Sequence, residues 1–377
     1  MKKFVYPIFR NCSPLPAAIV MDDKSFKLEI DLKNAFHQGY IDRHGVVPAN
    51  GKNPFLQEYE DLIDNSEDLR FSKMGIGNDT EARIGESAKL GKCLARGILS
   101  QYYNYVWFAS IQNLLNTPEN NWNAIIKDAG DTPDWLVGNR DDFAVAEAKG
   151  IHARISIDSD KVNKWRIQAK NIKIQHHGKD QALKTWIIAT RFVNTTKPKE
   201  KPQMLIEDPP LDGEFINQNS SSSLLRWISK SHIVANLLRI GQFKLIVRLD
   251  EQRKEEPITV LVWQCIVPEL QKFRFIGRPI GADSFHTIPF FYMEEFLFRP
   301  DPRRLFEILR EWYDFFSPEG FFDGMEISPV QALIRNAIPE AITFDYNSMQ
   351  YDFISILSDG SFMAPMSLMR PVDIKEF

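Results

Sequence analysis

Cysteine is scarce in this sequence: Cys12, Cys93 and Cys265 lie far apart and show no metal-ligand spacing. That excludes a disulfide framework and a cysteine-based zinc site, and it suits a reducing compartment. Long apolar runs are missing as well. The best, Ile258 to Val267, has the length of a buried strand, well short of the roughly 18 residues of a membrane span. The N-terminal Met-Lys-Lys leads into no apolar segment, because Asn11, Asp22, Asp23 and three prolines interrupt it. No secretory signal is therefore expected, and the protein is read as cytoplasmic with no membrane partner. Excess charge of one sign is also lacking. A net charge of −4 excludes a simple polycation that coats nucleic acid. No internal repeat is present.

What remains is the ordinary balance of a globular chain, 44% hydrophobic and 25% charged, which supports a sizeable core. Its 377 residues exceed twice a typical domain length, so two domains and a small appendage are expected. The charge is uneven. Lys161 to Lys201 holds eleven Lys and Arg against two acids, a local +9, whereas Met293 to Asp352 carries −7. The basic stretch reads either as a solvated face or as a surface for a phosphate backbone.

The organisation follows from periodicity and breakers. Residues 1–78 read as an N-terminal extension of short strands and loops. Its clearest strand is Lys24 to Lys33, where Phe26, Leu28, Ile30 and Leu32 alternate with charges. A short helix is expected near Leu56 to Ile63. A long helix then starts at a cap on Asp79 or Thr80, with Ile84, Leu90, Leu94, Ile98 and Tyr102 at helical spacing. The aromatic run Tyr102 to Phe108 either ends this helix or forms a strand. Asn116 to Asp131 is polar and turn-rich. Trp135–Val137 and Phe143–Lys149 flank the turn Gly138–Asp142 and predict a hairpin. A helix over Asp160 to Ile174 and a strand over Thr185 to Val193 follow.

Residues 201–222, with Pro202, Pro209, Pro210 and the polar run Asn217 to Ser223, read as a linker. The C-terminal part, 223–377, is expected to be a mixed α/β domain. It opens with an amphipathic helix over Leu224 to Ile240, then strands near Phe243–Leu249, Ile258–Val267 and Phe273–Ile276. Helices over Arg303–Phe316 and Pro329–Asn336 and a turn at Asp359-Gly360 complete it.

The hairpin carries the chemistry. Side chains two apart on a strand share a face, so Glu147 and Lys149 project together, and the turn can bring Asp134 beside them. Two carboxylates and a lysine at a strand end suit Mg²⁺ or Mn²⁺, a hard cation that takes oxygen ligands. An acid, any residue, then lysine occurs four times in the chain, so the tripeptide alone says little. Only Glu147/Lys149 closes a strand apolar on both faces and follows Pro133-Asp134 at hairpin distance. Charged groups there need partners; the plain alternative is an ion pair at an exposed strand end.

Pro133-Asp134 with Glu147-Ala148-Lys149 resembles the PD-(D/E)xK nuclease superfamily, and the resemblance extends loosely over residues about 80 to 195. It implies a restriction-endonuclease-like α/β core, a mixed sheet flanked by helices, over residues 79–200. It also implies Mg²⁺-dependent phosphodiester hydrolysis, with Asp134 and Glu147 as metal ligands and Lys149 at the attacking water. Many members add a glutamate on the first core helix and a glutamine on the helix after the motif. Glu86, preferred to Glu81, and Gln168 are the candidates for those places. Lys161, Lys164, Arg166, Lys170 and Lys173 would hold the nucleic-acid backbone. DNA is the substrate that the resemblance favours, with a role in restriction or defence against foreign DNA. The competing reading is a non-catalytic nucleic-acid-binding or scaffold module, and the C-terminal domain could hold a protein partner or a second copy.

Other signals weigh less. Gly85 to Cys93 imitates a phosphate-binding loop but has one residue too many between its glycines and lies within a helix. His176-His177 reads as a solvated pair, and His232 and His286 form no zinc pattern. The aromatic stretches Phe290–Phe298 and Trp312–Phe322 read as core or interface, with base stacking as the alternative.

Overall fold

The computed structural model describes residues 2–12, 19–22, 25–42, 62–72, 79–209, 214–215, 218–251, 257–280, 320–344 and 353–377. The helices expected at Leu56–Ile63 and Arg303–Phe316, His286 and the Phe290–Phe298 stretch lie wholly or mostly outside these residues. Two compact units divide the described chain, the first reaching His232 and the second running from Ile233 to Phe377.

The first unit is built on a mixed sheet flanked by helices. Its elements begin with strands β1 (Lys2–Arg10), β2 (Ile19–Asp22) and β3 (Ser25–Asp31), helix α1 (Leu32–Asp42) and the short β4 (Arg70–Phe71). The long helix α2 (Thr80–Tyr103), β5 (Trp107–Ser110), one turn of helix α3 (Ile111–Leu114) and β6 (Trp122–Ile126) follow. Next come β7 (Trp135–Gly138), β8 (Phe143–Ile151), α4 (Asp160–Ala169), β9 (Ile172–His176), β10 (Lys179–Ala182) and β11 (Lys184–Arg191). The remainder comprises β12 (Val193–Asn194), β13 (Gln203–Glu207), β14 (Glu214–Phe215) and helix α5 (Gln218–Arg239), which runs on into the second unit.

The main sheet has the order β2-β3-β1-β13-β11-β8-β7-β5. β7 and β8 form the expected antiparallel hairpin, with Trp135 opposite Ala146, and β8 lies parallel to β11. β8 and β11 read as near-continuous apolar runs because both of their faces are covered. On one face α4 packs Val162, Trp165 and Ala169 against Ile187, Ala189 and Leu205. On the other, Tyr103 of α2 packs its ring on Trp186, 4.3 Å between centroids.

Asp79 caps α2 by accepting from the Glu81 and Ala82 amides, which satisfies donors that a helix start leaves bare. The buried stripe of α2 begins only at Ser87 and Leu90, and Ile84 is 64% exposed. Glycine fixes how closely the helix approaches. A Cβ on Gly91 would strike the Lys149–Gly150 backbone, and one on Gly150 would collide with the Ser87 carbonyl. α2 therefore lies directly against the strand end that carries Glu147 and Lys149.

Three expectations fail here for identifiable reasons. The segment read as a linker supplies β13, which pairs with β11 and β1 inside the sheet. The N-terminal segment is not an appendage either: β1 is an inner strand, and Leu32–Asp42 forms a helix. The helix over Asp160 to Ile174 stops at Ala169, and Ile172 and Ile174 alternate on β9, paired with Ile126 and Ala124 of β6. With β10 and β14 these strands form a second sheet, β14-β10-β9-β6. Its β9–β10 turn takes His177 and Gly178 at positive φ, as a two-residue hairpin turn requires. The aromatic run ending at Phe108 resolves into the end of α2 and then β5.

The second unit holds helix α6 (Phe243–Glu251), β15 (Thr259–Cys265), β16 (Phe275–Ile280), β17 (Phe321–Glu326), helix α7 (Ile327–Ile334), β18 (Ser355–Ile356), β19 (Ser361–Pro365) and β20 (Met369–Glu376). Its sheet is antiparallel throughout, in the order β18-β19-β17-β16-β15-β20. Trp263, Phe275, Phe322 and Phe362 anchor the core on it. Thus Phe322, from the second aromatic stretch, is core. The strand expected over Phe243–Leu249 is instead α6. Leu245 and Leu249, one turn apart, are its buried residues, while Phe243 and Val247 face out, a spacing that only a helix satisfies. Arg239 and Asp323 form a fully buried ion pair. No helix among the described residues is long and apolar enough to cross a membrane.

Candidate functional site

The site assembles where β7 begins and β8 ends. One residue beyond the register that pairs Trp135 with Ala146, Asp134 stands opposite Glu147, and its amide still donates to the Ala146 carbonyl, 3.1 Å. Asp134 Oδ2 accepts from the Ala148 amide at 2.9 Å, which fixes the plane of that carboxylate. Pro133 ends the ladder here, since it has no amide to donate.

Glu147 is only 1% exposed. Lys149 forms an ion pair with its Oε1, yet neither Glu147 oxygen receives an aligned hydrogen bond among the described residues. Burial, then the Asp134 charge, pushes the Glu147 carboxyl up to about 8, against the pull of Lys149 and Lys92. Lys149 is held from its other side by Gln168 Oε1 of α4 at 2.8 Å. The Gln168 amide in turn donates to the Thr132 carbonyl, 3.0 Å. Asn171 ties the same loop by bonds to the Asp128 amide and carbonyl and the Asp131 carbonyl, 2.8–3.1 Å. The segment that delivers Asp134 is thus pinned to the helix that delivers Gln168.

Four of the five expected catalytic residues converge in this way: Asp134, Glu147, Lys149 and Gln168. The fifth, Glu86, does not join them. It pairs with Lys89 on its own helix at 2.5 Å. Lys92 fills the helix position that faces the site, its Nζ 2.6 Å from Asp134 Oδ1. Six residues of α-helix place Glu86 about 120° round the axis from Lys92, and Glu81, although on the same face, lies about 16 Å along it. Gly91 against Gly150 sets that phase. Burial would lower the Lys92 ammonium, but the charge and hydrogen bond of Asp134, then Asp42 and Glu147, outweigh it and raise it. Asp42, at the end of α1, accepts from Arg96 Nη1 at 3.0 Å and Trp135 Nε1 at 2.9 Å. Lys92 and Arg96 are one turn apart on a face that is otherwise buried, a spacing visible in the sequence that could have marked them.

The basic set divides. Lys161 and Lys164 are exposed on α4. Arg166 grips the buried Glu207 through both of its oxygens, 2.7 and 2.9 Å, so its guanidinium serves the fold rather than a phosphate. Lys173 is on β9 and pairs with Asp180 at 2.6 Å. Lys170 is half-buried at the end of α4. His176 stacks on buried Trp122, 4.3 Å between ring centroids, rather than standing free in solvent.

Among the described residues no group of three or more His, Cys, Asp or Glu forms a metal cage. Two carboxylates still fit a hard cation that completes its shell with water and substrate oxygens. The buried Glu147 carboxylate, with Lys149 on Oε1 and no hydrogen bond on Oε2 among the described residues, and the like charge of Asp134 beside it are the environment such a cation would relieve. No family model matches the chain, and neither a curated protein nor a solved structure is found similar to it.

Proposed function

We propose that the chain is a divalent-metal-dependent nuclease of the PD-(D/E)xK type, hydrolysing phosphodiester bonds in DNA. The observation that carries this reading is the convergence of Asp134, Glu147, Lys149 and Gln168, with Glu147 buried and its Oε2 without a hydrogen-bond donor among the described residues. With the turn of helix α3 and the second-sheet strands β6, β9 and β10 set aside, the order α2, β5, β7, β8, α4, β11 also supports it, being the α-β-β-β-α-β order of that superfamily's core. Asp134 and Glu147 would hold Mg²⁺ or Mn²⁺, which when bound acidifies its water and neutralises charge on the phosphodiester. Lys149, oriented by Gln168, would orient the attacking water and stabilise the hydroxide that forms as its proton passes to bulk water. Lys161 and Lys164 would meet the backbone.

The test incubates the protein with supercoiled plasmid, single-stranded DNA and RNA, with Mg²⁺ or Mn²⁺ and with chelator. Metal-dependent nicking of the plasmid is expected, and none with chelator. Cutting of RNA alone would overturn the substrate. A second prediction concerns binding. Alanine at both Lys161 and Lys164 should weaken duplex binding and reduce the slope of log affinity against log salt by about 2. Binding titrations at several salt concentrations read both effects.

A second reading has one observation in its favour. Lys92 and Lys149 already neutralise the two carboxylates, as a non-catalytic binding module on this fold would require. Such a module would be indifferent to Mn²⁺, whereas the nuclease would bind it.

A further inference from the structure

α2 brings a cation, not a carboxylate, to the candidate metal ligands. Both oxygens of Asp134 are engaged, Oδ2 by the Ala148 amide at 2.9 Å and Oδ1 by Lys92 Nζ at 2.6 Å. The two partners differ in kind. The amide belongs to the β8 backbone and cannot leave without breaking the strand. The Lys92 side chain is 42% exposed and can swing into water without moving backbone, leaving Asp134 and the Trp135 ring, whose centroid is 5.9 Å from its Nζ. Its Cα is fixed, because Gly91 lies in contact with the Lys149–Gly150 backbone. An ammonium on Oδ1 and a divalent cation on the same carboxylate would stand within about 4 Å and repel each other in a half-buried setting. They cannot both be held well.

We propose that Lys92 is the tethered counter-ion that a divalent cation must displace from Asp134, so that it sets the concentration at which the site fills. The inference rests on the metal-site reading above and adds a residue outside the Pro-Asp and Glu-x-Lys pattern. It also accounts for the place of the helix. A glutamate there would bind the cation more tightly, whereas a lysine keeps the empty site neutralised and shifts filling to a higher divalent concentration.

The test titrates Mn²⁺ into the full chain and reads free Mn²⁺ by electron paramagnetic resonance, without nucleic acid. The proteins are wild type, Lys92→Met, Lys92→Arg and Asp134→Asn, each checked for folding by circular dichroism. Lys92→Gln stands in if the methionine variant does not fold. The neutral variant should bind Mn²⁺ about tenfold or more tighter than wild type. Lys92→Arg should stay within about threefold of wild type, and Asp134→Asn should bind at least about tenfold more weakly. Equal or weaker binding by the neutral variant, with loss in Asp134→Asn, would overturn the role of Lys92 and leave the metal site standing. No binding that depends on Asp134 in either wild type or the neutral variant would overturn both.

Discussion

Lys149→Met should lower metal-dependent plasmid cleavage by at least about 10³-fold without weakening Mn²⁺ binding. The size follows from what the ammonium would do: a fixed charge at the reacting centre contributes about 10²–10³, and loss of its hold on the attacking water adds to that. The sparing of metal binding follows from the geometry. Lys149 touches Glu147 and Gln168 but leaves Asp134 to Lys92 and the Ala148 amide. Asp134→Ala should abolish both cleavage and binding. Nicking rates under saturating Mn²⁺, beside the titration, separate the two patterns. Equal cutting by wild type and both folded variants would remove the chemistry from this hairpin.

Without metal, Glu147→Gln should stabilise the protein at pH 8 and have little effect near pH 5. The folded-state pKa of Glu147 is raised to about 8 by burial and then by the Asp134 charge, while the unfolded chain has the ordinary value near 4.5. Between those values the folded state binds more protons than the unfolded one. Wild-type stability therefore falls as pH rises through this window, because a buried carboxylate must ionise. Glutamine has nothing to ionise, so the variant should gain on the order of 2 kcal/mol at pH 8 and converge with wild type below about pH 5. Thermal melts across pH 5–8.5 measure this. Added Mn²⁺ should raise the midpoint of wild type and leave that of the variant unchanged. A variant less stable than wild type at pH 8 would mean that Lys149 compensates Glu147 fully, against the expected sign.

The hairpin and its charged end were legible because everything that specifies them is local. An apolar run closed by Glu-Ala-Lys and a five-residue turn reach Pro-Asp without reference to the rest of the chain. Gln168 was marked by the resemblance alone, and the capped helix that follows the strand at short range carries it to Lys149. The place of Glu86 was not legible, because the phase of a helix about its axis depends on which small residue touches the sheet. Gly91 makes that contact with Gly150, and the rotation it sets turns Lys92 inward. Arg166 looked like its lysine neighbours until Glu207, forty-one residues away, occupied it. β13 was hidden between prolines, and only its pairing with β11 and β1 makes it a strand. Ile172 to Ile174, the first three residues of β9, continued a helical pattern that β6 converts to a sheet.

The sequence by itself determined the mixed α/β character, the β7–β8 hairpin, the start of α2 and the charged cluster of Asp134, Glu147 and Lys149. Period, caps and turn residues act over a few neighbours and need no partner. Tertiary structure alone decided that the N-terminal strand enters the main sheet, that the proline-rich segment completes it, and that a lysine meets Asp134. Each of these is a long-range pairing, settled by which surfaces bury each other and how closely two backbones can approach. The buried glutamate shows both levels in one side chain. Its type and place are written in the strand, and its raised pKa comes from what the fold packs around it.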